Sequence, residues 1–240
     1  MEVSAIENPY RAALERSLDP VLDRVRGAAE RAGRAPDSIK IVAVTKGHPL
    51  AAVEAALEAG LRDIGENRVE ELEAKVQALD GRLAPTWHLI GHVQGRKAAR
   101  AASLFELFHA LDSIRLANRL SALATRMAQP LRVLVQVNAS GEGSKGGLPL
   151  DSATEGLAEI VELPGLKVEG LMTMAPFTAD HGMVRSTFRA LRVVHESAKQ
   201  ASCYRGTELS MGMTNDFEIG IEEGSTLIRL GTALFGERPK

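Results

Sequence analysis

Apolar runs rich in β-branched residues alternate with amphipathic segments along the chain after residue 38. Runs of this kind predict buried strands, and the segments between them carry apolar residues at helical spacing. Eight strands are predicted, at 39–45, 62–65, 87–90, 104–111, 131–138, 166–174, 208–211 and 227–230. Helices are predicted at 49–60, 67–79, 94–102, 115–127, 150–162, 183–201 and 215–223, so one strand–helix unit repeats through the chain.

Strands that alternate with crossover helices pair in parallel, which makes this an α/β protein. Eight such units in about 200 residues match a closed (β/α)8 TIM barrel, whose usual length is about 250 residues. The alternative is an open doubly wound sheet, which usually carries a glycine-rich fingerprint after its first strand, where this chain reads VTKGHP. An extra N-terminal helix is predicted at 6–33 and is expected to pack outside the barrel. Since no long polar linker divides the chain, residues 1–240 are expected to form a single domain.

Composition narrows the classes of function. A net charge of −2, from 29 basic and 31 acidic residues, provides no global field for binding nucleic acid or an anionic membrane. The single cysteine, Cys203, allows no intramolecular disulfide, which suits a reducing compartment. Residues 1–20 lack the apolar core of a signal peptide and the acid-poor bias of a transit peptide, so we expect a cytoplasmic protein.

Lys46 ends the first predicted strand, directly after an apolar run. Function in β/α barrels gathers at the rim formed by the C-terminal ends of the strands. A lysine there is either exposed to solvent or held in a partly dry mouth. In the second case desolvation lowers the pKa of its amine and produces a nucleophile for Schiff-base chemistry. The spacing alone leaves both interpretations open.

The last two predicted strands each end in a glycine flanked by hydroxyl residues, in SMGMT at 210–214 and RLGT at 229–232. Glycines let backbone N–H groups approach an anion, hydroxyls add donors, and a helix starting near residue 215 would point its positive end at the same place. Barrels commonly hold phosphate between these two loops. The pair therefore predicts a phosphate site, although either glycine alone would be explained by a tight turn.

Arg229 interrupts an otherwise apolar strand, where an unpaired guanidinium would be costly to bury. Its partner is expected to be a heterocyclic nitrogen, a ligand anion, or a carboxylate such as Glu66 or Glu208.

Four other side chains at or near strand ends are candidates for a functional role. Asn67 follows the second strand, where it can cap the next helix and lie near the mouth. His88 and His92 flank the third strand without a cysteine or carboxylate at metal-site spacing, so no metal is expected. Met172, near the end of the sixth strand, is expected to pack the pocket wall.

Beyond these residues, the chain resembles the pyridoxal phosphate homeostasis proteins, also called proline synthetase co-transcribed homologs, from about residue 8 to 236. The motifs that carry the resemblance are VAVTK at 42–46, GEN at 65–67, WHLIGHVQ at 87–94, VN-x-SGE-x-SK-x-G at 137–147, GLMTM at 170–174, LSMGMTNDFEIGIEEGST at 209–226 and IRLGTALFG at 228–236. The chain departs from the common pattern at Gly47-His48, where the family often has Thr-Lys, and at Gly95-Arg96, where Ser-Asn or Thr-Asn is usual.

The resemblance implies a barrel like the N-terminal domain of alanine racemase, with Lys46 holding pyridoxal 5′-phosphate as an aldimine. It implies the following roles for other residues: Ser210, Gly212, Gly231 and Thr232 hold the phosphate, Arg229 faces the pyridine nitrogen, Asn67 lies beside the cofactor, and Met172 and Met211 line the pocket.

The leading hypothesis is a protein of intracellular pyridoxal phosphate homeostasis that carries the cofactor with little or no catalysis. An arginine at the pyridine nitrogen weakens the ring as an electron sink. Apo-enzymes that use the cofactor are expected as transient partners, and the chain is expected to be a monomer or weak dimer.

The competing hypothesis is an enzyme, either an amino-acid racemase or a Schiff-base lyase. Related racemases use a tyrosine as the second base, and neither Tyr10 nor Tyr204 ends a predicted strand. The additional C-terminal β domain of alanine racemase is also expected to be missing, since the barrel extends to the last residues. A third alternative is a barrel that forms Schiff bases with a phosphosugar.

Overall fold

The fold is known from a computed structural model that describes residues 8–79, 81, 83–143, 145–201 and 203–238. The described strands are β1 Lys40–Val44, β2 Asp63–Glu66, β3 Thr86–Leu89, β4 Leu107–Leu111, β5 Leu131–Asn138, β6 Leu148–Pro149, β7 Leu166–Met172, β8 Glu208–Met213 and β9 Leu227–Leu230. The described α-helices are α1 Pro9–Arg31, α2 Leu50–Glu58, α3 Val69–Leu79, α4 Ala98–Ala101, α5 Ile114–Ala124, α6 Ala153–Val161, α7 His181–Ala201, α8 Phe217–Glu222 and α9 Thr232–Phe235. Short 3-10 helices cover Pro36–Ser38, Gly95–Lys97 and Leu150–Ser152.

Eight of the strands form a closed parallel barrel. Each barrel strand pairs with the next in the chain, and the sheet closes because β1 pairs with β9 as well as with β2. The short strand β6 pairs in parallel with the last residues of β5 and stands outside this ring. The predicted (β/α)8 barrel is therefore confirmed, and β6 is an addition that the pattern did not predict.

The register assigns the inward-facing side chains. Val42 of β1 is level with Arg229 of β9, and Gly65 of β2 is level with His88 of β3. A Cβ on Gly65 would lie 2.9 Å from Val42, so these four positions share the barrel interior. Since alternate residues of a strand face opposite sides, Thr45 and Glu66 point outward, toward the helices.

Helix α1 lies outside the barrel, as the sequence predicts for 6–33, although residues 6 and 7 fall outside the described residues. Asn8 caps it by accepting a hydrogen bond from the backbone N–H of Tyr10. One face of the helix is buried through Leu14, Val21, Val25, Ala28 and Ala29. That face packs on α2, α8 and α9, and two of these helices follow the strands β8 and β9.

Most predicted elements differ from the observed ones by a few residues at their ends, and three differences affect the description of the fold. The helix predicted at 94–102 is split into a 3-10 turn and the single α-helical turn α4. The helix predicted at 215–223 begins at Phe217, because Asp216 turns its carboxylate to the backbone N–H of Met213. Strand β8 continues to Met213 through a register shift against β9.

No described helix combines the length and apolar character needed to cross a membrane.

Candidate functional site

A cavity of about 370 Å³ opens at the C-terminal ends of β1, β8 and β9. Its polar lining consists of Lys46, His48, Thr214, Asn215, Asp216, Arg229, Thr232 and Arg238. Its remaining wall consists of Val44, Ile90, Ala175, Pro176, Phe177, Met213 and Gly231. These residues belong to segments far apart in the chain, which the closed barrel brings to one rim.

Lys46 is half-buried in this cavity. Its amine makes no hydrogen bond or ion pair with any residue in the described part of the chain. Burial lowers the pKa of Lys46, and the charges of Arg238 and Arg229 lower it further, against the opposing carboxylates Glu66 and Glu71. A larger fraction of this amine is therefore neutral near pH 8 than for an ordinary lysine, which makes it a nucleophile.

The two neighbours of Lys46 are held by a buried ionic cluster that the sequence did not indicate. Lys75 of α3 donates to the carboxylate of Glu66 at 2.5 Å and to the carbonyl of Thr45 at 2.8 Å. The hydroxyl of Thr45 donates to the same Glu66 oxygen at 2.5 Å. On the other side, the backbone N–H of Gly47 donates to Glu71 at 2.5 Å. The cluster therefore fixes the end of β1 on which Lys46 stands.

Arg229 is 5% exposed, and burial lowers the pKa of its guanidinium to about 10. It donates to the carbonyl of Ser210 at 2.9 Å, to the hydroxyl of Ser210 at 2.5 Å and to the carbonyl of Thr173 at 3.1 Å. The structural alternative of an ion pair with Glu66 or Glu208 is wrong. Glu66 pairs with Lys75, and Glu208 accepts from the hydroxyl of Thr226.

The ends of β8 and β9 meet at the cavity through a turn that depends on glycine. Gly212 has φ +100, and a Cβ there would lie 2.8 Å from the backbone of Phe217, so a larger residue is excluded. The following residues, Met213 and Thr214, reach the cavity wall. The hydroxyl of Thr214 accepts from the backbone N–H of Ala233 at 3.2 Å, which joins this loop to the one after β9.

The residues proposed from the sequence fall into two sets. Those that line the cavity are Lys46, Arg229, Gly231 and Thr232. Those that do not line it are Asn67, Met172, Ser210, Met211 and Gly212.

The second set makes other contacts in the barrel. Ser210 is fully buried and contacts Arg229, and Met172 is level with Ser210 on the neighbouring strand. Met211 is fully buried on the next position of β8. Asn67 packs against Gly91, where its backbone and side-chain oxygens occupy the space that a Cβ would need.

Asp216 and Arg238 line the cavity but were not proposed from the sequence, and Thr214, which also lines it, was part of the predicted phosphate motif without a role of its own. Thr214 belongs to the same glycine-containing motif as Ser210, so its hydroxyl was a visible signal. Nothing in the sequence pattern pointed to Arg238. It follows α9 and its side chain folds over Gly47, so that a Cβ on Gly47 would lie 2.9 Å from it.

The two tyrosines differ in their distance from the cavity. The Tyr10 hydroxyl lies 3.2 Å from Nδ1 of His48, which is 5% exposed and lines the cavity. Burial raises the pKa of Tyr10 and lowers that of His48. Tyr204 is buried elsewhere, against His195. Within the described residues, no tyrosine lines the cavity wall.

No group of three or more metal-binding side chains is gathered anywhere in the described ranges. His88 contacts His109 and Asp63, while His92 contacts Asp112.

The lining suits a small aldehyde that carries a phosphate and a heterocycle. It offers a nucleophilic amine, hydroxyl and backbone donors at the β8 and β9 loops, and a buried guanidinium. The guanidinium of Arg238 and the imidazole of His48 also line this cavity. With Lys46, Arg229 and Arg238 in the lining against the carboxylate of Asp216, the local charge favours the anionic phosphate of such a ligand.

The sequence matches a known family model and is similar to named proteins of bacteria. The family model described as alanine racemase, N-terminal domain, matches residues 17–239. The chain is 39% identical to the pyridoxal phosphate homeostasis protein of Aquifex aeolicus, over 92% of this chain and 96% of the relative. It is 37% identical to the protein of the same name from Escherichia coli K12, over 92% of this chain and 95% of the relative.

The structure is also similar to solved structures. PipY of Synechococcus elongatus with pyridoxal phosphate bound is 34% identical, with a TM-score of 0.78, and the match covers 87% of this chain and 100% of that one. Alanine racemase of Clostridium difficile 630 in complex with cycloserine is 13% identical, with a TM-score of 0.73, and the match covers 91% of this chain and 60% of that one. The second likeness shows a shared fold.

Proposed function

This chain belongs to the family of pyridoxal phosphate homeostasis proteins, built on the barrel of the alanine racemase N-terminal domain, and we propose from that premise that it binds pyridoxal 5′-phosphate covalently at Lys46. The observation that carries the proposal is the amine of Lys46, which has a lowered pKa and no partner among the described residues. When bound, the cofactor supplies an aldehyde that condenses with a neutral amine and releases water.

The phosphate is assigned to the β8 and β9 loops. Thr214 and Thr232 offer hydroxyls, and Gly231 offers a backbone without a side chain in the way. Thr214 takes the place of Ser210 as the hydroxyl nearest the ligand, because Ser210 is fully buried and its hydroxyl binds Arg229. Gly212 contributes by permitting the turn that presents Thr214.

Arg229 is assigned to the pyridine nitrogen. Its pKa of about 10 keeps the guanidinium charged at neutral pH. A cation at that position opposes protonation of the ring nitrogen and so weakens the ring as an acceptor of electrons. This property favours storage of the cofactor over amino-acid chemistry.

The remaining residues are assigned to the support of the cavity. Met172 and Met211 pack the strands behind it, and Asn67 fixes Gly91, next to the cavity residue Ile90. Tyr10 reaches the cavity only through His48, so the lining offers no tyrosine as the second base of a racemase.

The biological role that follows is cofactor homeostasis with little or no turnover. The protein holds the reactive aldehyde on Lys46 and releases it to apo-enzymes that need it. Phe177, which is 96% exposed at the cavity rim, offers an apolar contact for such transient partners. We place this role in the cytoplasm, where the exposed thiol of Cys203 stays reduced.

The proposal is tested by the visible absorption spectrum of the protein with added pyridoxal phosphate, before and after borohydride reduction. We expect a yellow, reducible band in the wild type and its loss in Lys46→Ala. Peptide mapping should find the reduced cofactor on Lys46. Lys40→Ala is the matched control, since Lys40 is exposed at the opposite end of the same strand. A Lys46→Ala protein with an unchanged band would overturn the covalent assignment.

Exchange of the α-hydrogen of amino acids with solvent distinguishes cofactor storage from catalysis. The loaded protein is incubated with amino acids in deuterated solvent, and the α-hydrogen is followed by NMR. We expect no exchange above that of free pyridoxal phosphate. Exchange that is faster and disappears in Lys46→Ala would instead identify a racemase-like enzyme.

A further inference from the structure

A file of polar side chains crosses the barrel interior, where branched apolar residues usually pack. Asp63 of β2 contacts His88 of β3 at 2.9 Å, and His88 contacts His109 of β4 at 2.8 Å. His109 contacts the Ser210 hydroxyl of β8 at 2.9 Å, and Ser210 accepts from Arg229 of β9 at 2.5 Å. The file therefore links a carboxylate at the start of β2 to the guanidinium in the cavity.

The interior members of this file are almost completely shielded from water. His109 and Ser210 are 0% exposed and His88 is 2% exposed. Buried polar groups of this kind are costly unless each finds a partner. Since every member contacts the next, the file satisfies all of them, and such fully connected networks impose one arrangement.

The two ends of the file determine the direction of its hydrogen bonds. The guanidinium of Arg229 can only donate, and the carboxylate of Asp63 can only accept. With both imidazoles neutral, Nε2–H of His88 donates to Asp63 and Nε2–H of His109 donates to Nδ1 of His88. The Ser210 hydroxyl then donates to Nδ1 of His109 and accepts from Arg229. Burial holds the pKa of His109 well below its usual range, which agrees with a neutral ring.

The hydrogen bonds that Arg229 makes within the protein use part of its guanidinium and leave its other N–H groups available to a ligand. Two N–H groups of Nη1 donate to the carbonyl and hydroxyl of Ser210, and one N–H of Nη2 donates to the carbonyl of Thr173. A guanidinium has five N–H groups. Two therefore have no acceptor in the described part of the protein, and Arg229 lines the cavity.

We propose that Asp63, His88, His109 and Ser210 form a one-way hydrogen-bond relay that positions Arg229 toward the ring nitrogen of the bound cofactor. This inference rests on the proposed function and deepens it. The four residues are positioning residues that act through Arg229. Their effect is to orient the donors of Arg229 and to keep its cation at the ring, and the hydroxyl of Ser210 serves this relay.

The first test needs no cofactor. NMR of cofactor-free protein with ¹⁵N-labelled histidine reports the tautomer of each ring near pH 7. We expect His88 and His109 to be neutral, each with its proton on Nε2. A proton on Nδ1 of His109, or a cationic His88, would reverse the direction of the bonds and overturn the relay. Since this result does not depend on cofactor binding, it stands or fails apart from the proposed function.

The second test compares two substitutions of His109. His109→Gln keeps an acceptor for Ser210 and a donor for His88, whereas His109→Leu removes both. We expect His109→Leu to displace the visible band of bound pyridoxal phosphate and to weaken its affinity about ten-fold, as for a lost hydrogen bond in a charged network. His109→Gln should restore both properties. A wild-type band and affinity in His109→Leu would overturn the proposal.

Two further variants separate positioning from stability. His195→Leu removes a buried histidine that contacts Tyr204 and lies outside the relay. It should lower stability without moving the band. Asp63→Asn keeps the shape of a partly exposed side chain, so it serves if His109→Leu does not fold. It should mix the tautomers of His88 and His109 and displace the band, and no change in either would overturn the relay.

Discussion

Buried charged residues in this protein follow two different rules at the scale of single residues. Lys75 is buried beside a carboxylate, Glu66, and adds a backbone carbonyl as a further acceptor. Arg229 is buried with a hydroxyl and two backbone carbonyls as acceptors, and no carboxylate of the described residues forms an ion pair with it. The first arrangement neutralises its charge and is structural. The second leaves a cation with donors to offer, which is the property that a ligand site needs.

Residue-scale burial also makes stability depend on pH. His195 has a side chain 3% exposed, hydrogen-bonded to the hydroxyl of Tyr204, and burial lowers its pKa to about 4. The unfolded chain therefore binds a proton at His195 below pH 6.5, while the folded protein does not until about pH 4. Its contribution to stability is complete above pH 6.5 and is lost as the pH falls through that window.

We therefore predict that His195→Gln flattens the acid side of the stability profile. Between pH 6.5 and 4 the wild type should lose up to about 3 kcal/mol more of its free energy of unfolding than the variant, since each unit of pKa corresponds to about 1.4 kcal/mol. Urea denaturation at pH steps across this range measures it. Parallel profiles for the two proteins would show that His195 is not buried in its neutral form.

At the scale of elements, helix α1 supports the loops that form the cavity. It packs on α8 and α9, which follow β8 and β9. Ion pairs from Arg24 to Glu218 and from Arg31 to Glu222 reinforce this contact, and the hydroxyl of Ser17 donates to the carbonyl of Leu234. The arginines of these ion pairs are about half exposed and each pair adds little, so the apolar face supplies most of the binding between α1 and the barrel.

Two leucines of α1 allow this to be measured. Leu14 is 2% exposed and Leu22 is 37% exposed on the same helix. Leu14→Ala should lower the free energy of unfolding by about 2 to 5 kcal/mol, because it leaves a cavity in the contact. Leu22→Ala makes the same change in helix propensity and should cost less than about 1 kcal/mol. Equal losses in urea denaturation would mean that α1 does not pack through its buried face.

At the scale of the whole molecule, closure of the barrel requires strands to approach more closely than side chains allow. Gly170 of β7 is level with Glu208 of β8, and a Cβ on Gly170 would lie 1.8 Å from the backbone oxygen of Glu208. A real Cβ cannot occupy that place, so the two strands would have to separate. The ring that brings β1, β8 and β9 to one cavity depends on this contact.

Gly170→Ala is accordingly expected to lower the free energy of unfolding by at least about 2 kcal/mol and to weaken cofactor binding with it. Gly27→Ala is the control, since Gly27 lies inside α1 and a Cβ there meets only the tip of Arg31 at 3.4 Å. That change should be neutral or stabilising by about 0.5 to 1 kcal/mol. A Gly170→Ala protein as stable as the wild type would show that β7 and β8 adjust without cost.

The repeated strand–helix pattern in the sequence was sufficient to predict the barrel fold. Periodicity and β-branched runs located all eight barrel strands to within a few residues, since both properties are local. Lys46 was also predictable, because a lysine that ends an apolar strand is placed at the rim by the fold itself. Of the residues assigned to the site, Arg229, Gly231 and Thr232 reach the cavity for the same reason.

The tertiary structure decided which side chains meet. Thr214 follows the end of β8 and reaches the cavity, while Ser210 lies within the strand and its hydroxyl is taken by Arg229 and His109. The alternative of a Glu66 carboxylate as the partner of Arg229 fails because Glu66 points outward and pairs with Lys75, on a helix outside the barrel. Likewise, the file from Asp63 to Arg229 joins strands far apart in sequence across the interior. Contacts of this kind depend on barrel closure and register, which no local pattern encodes.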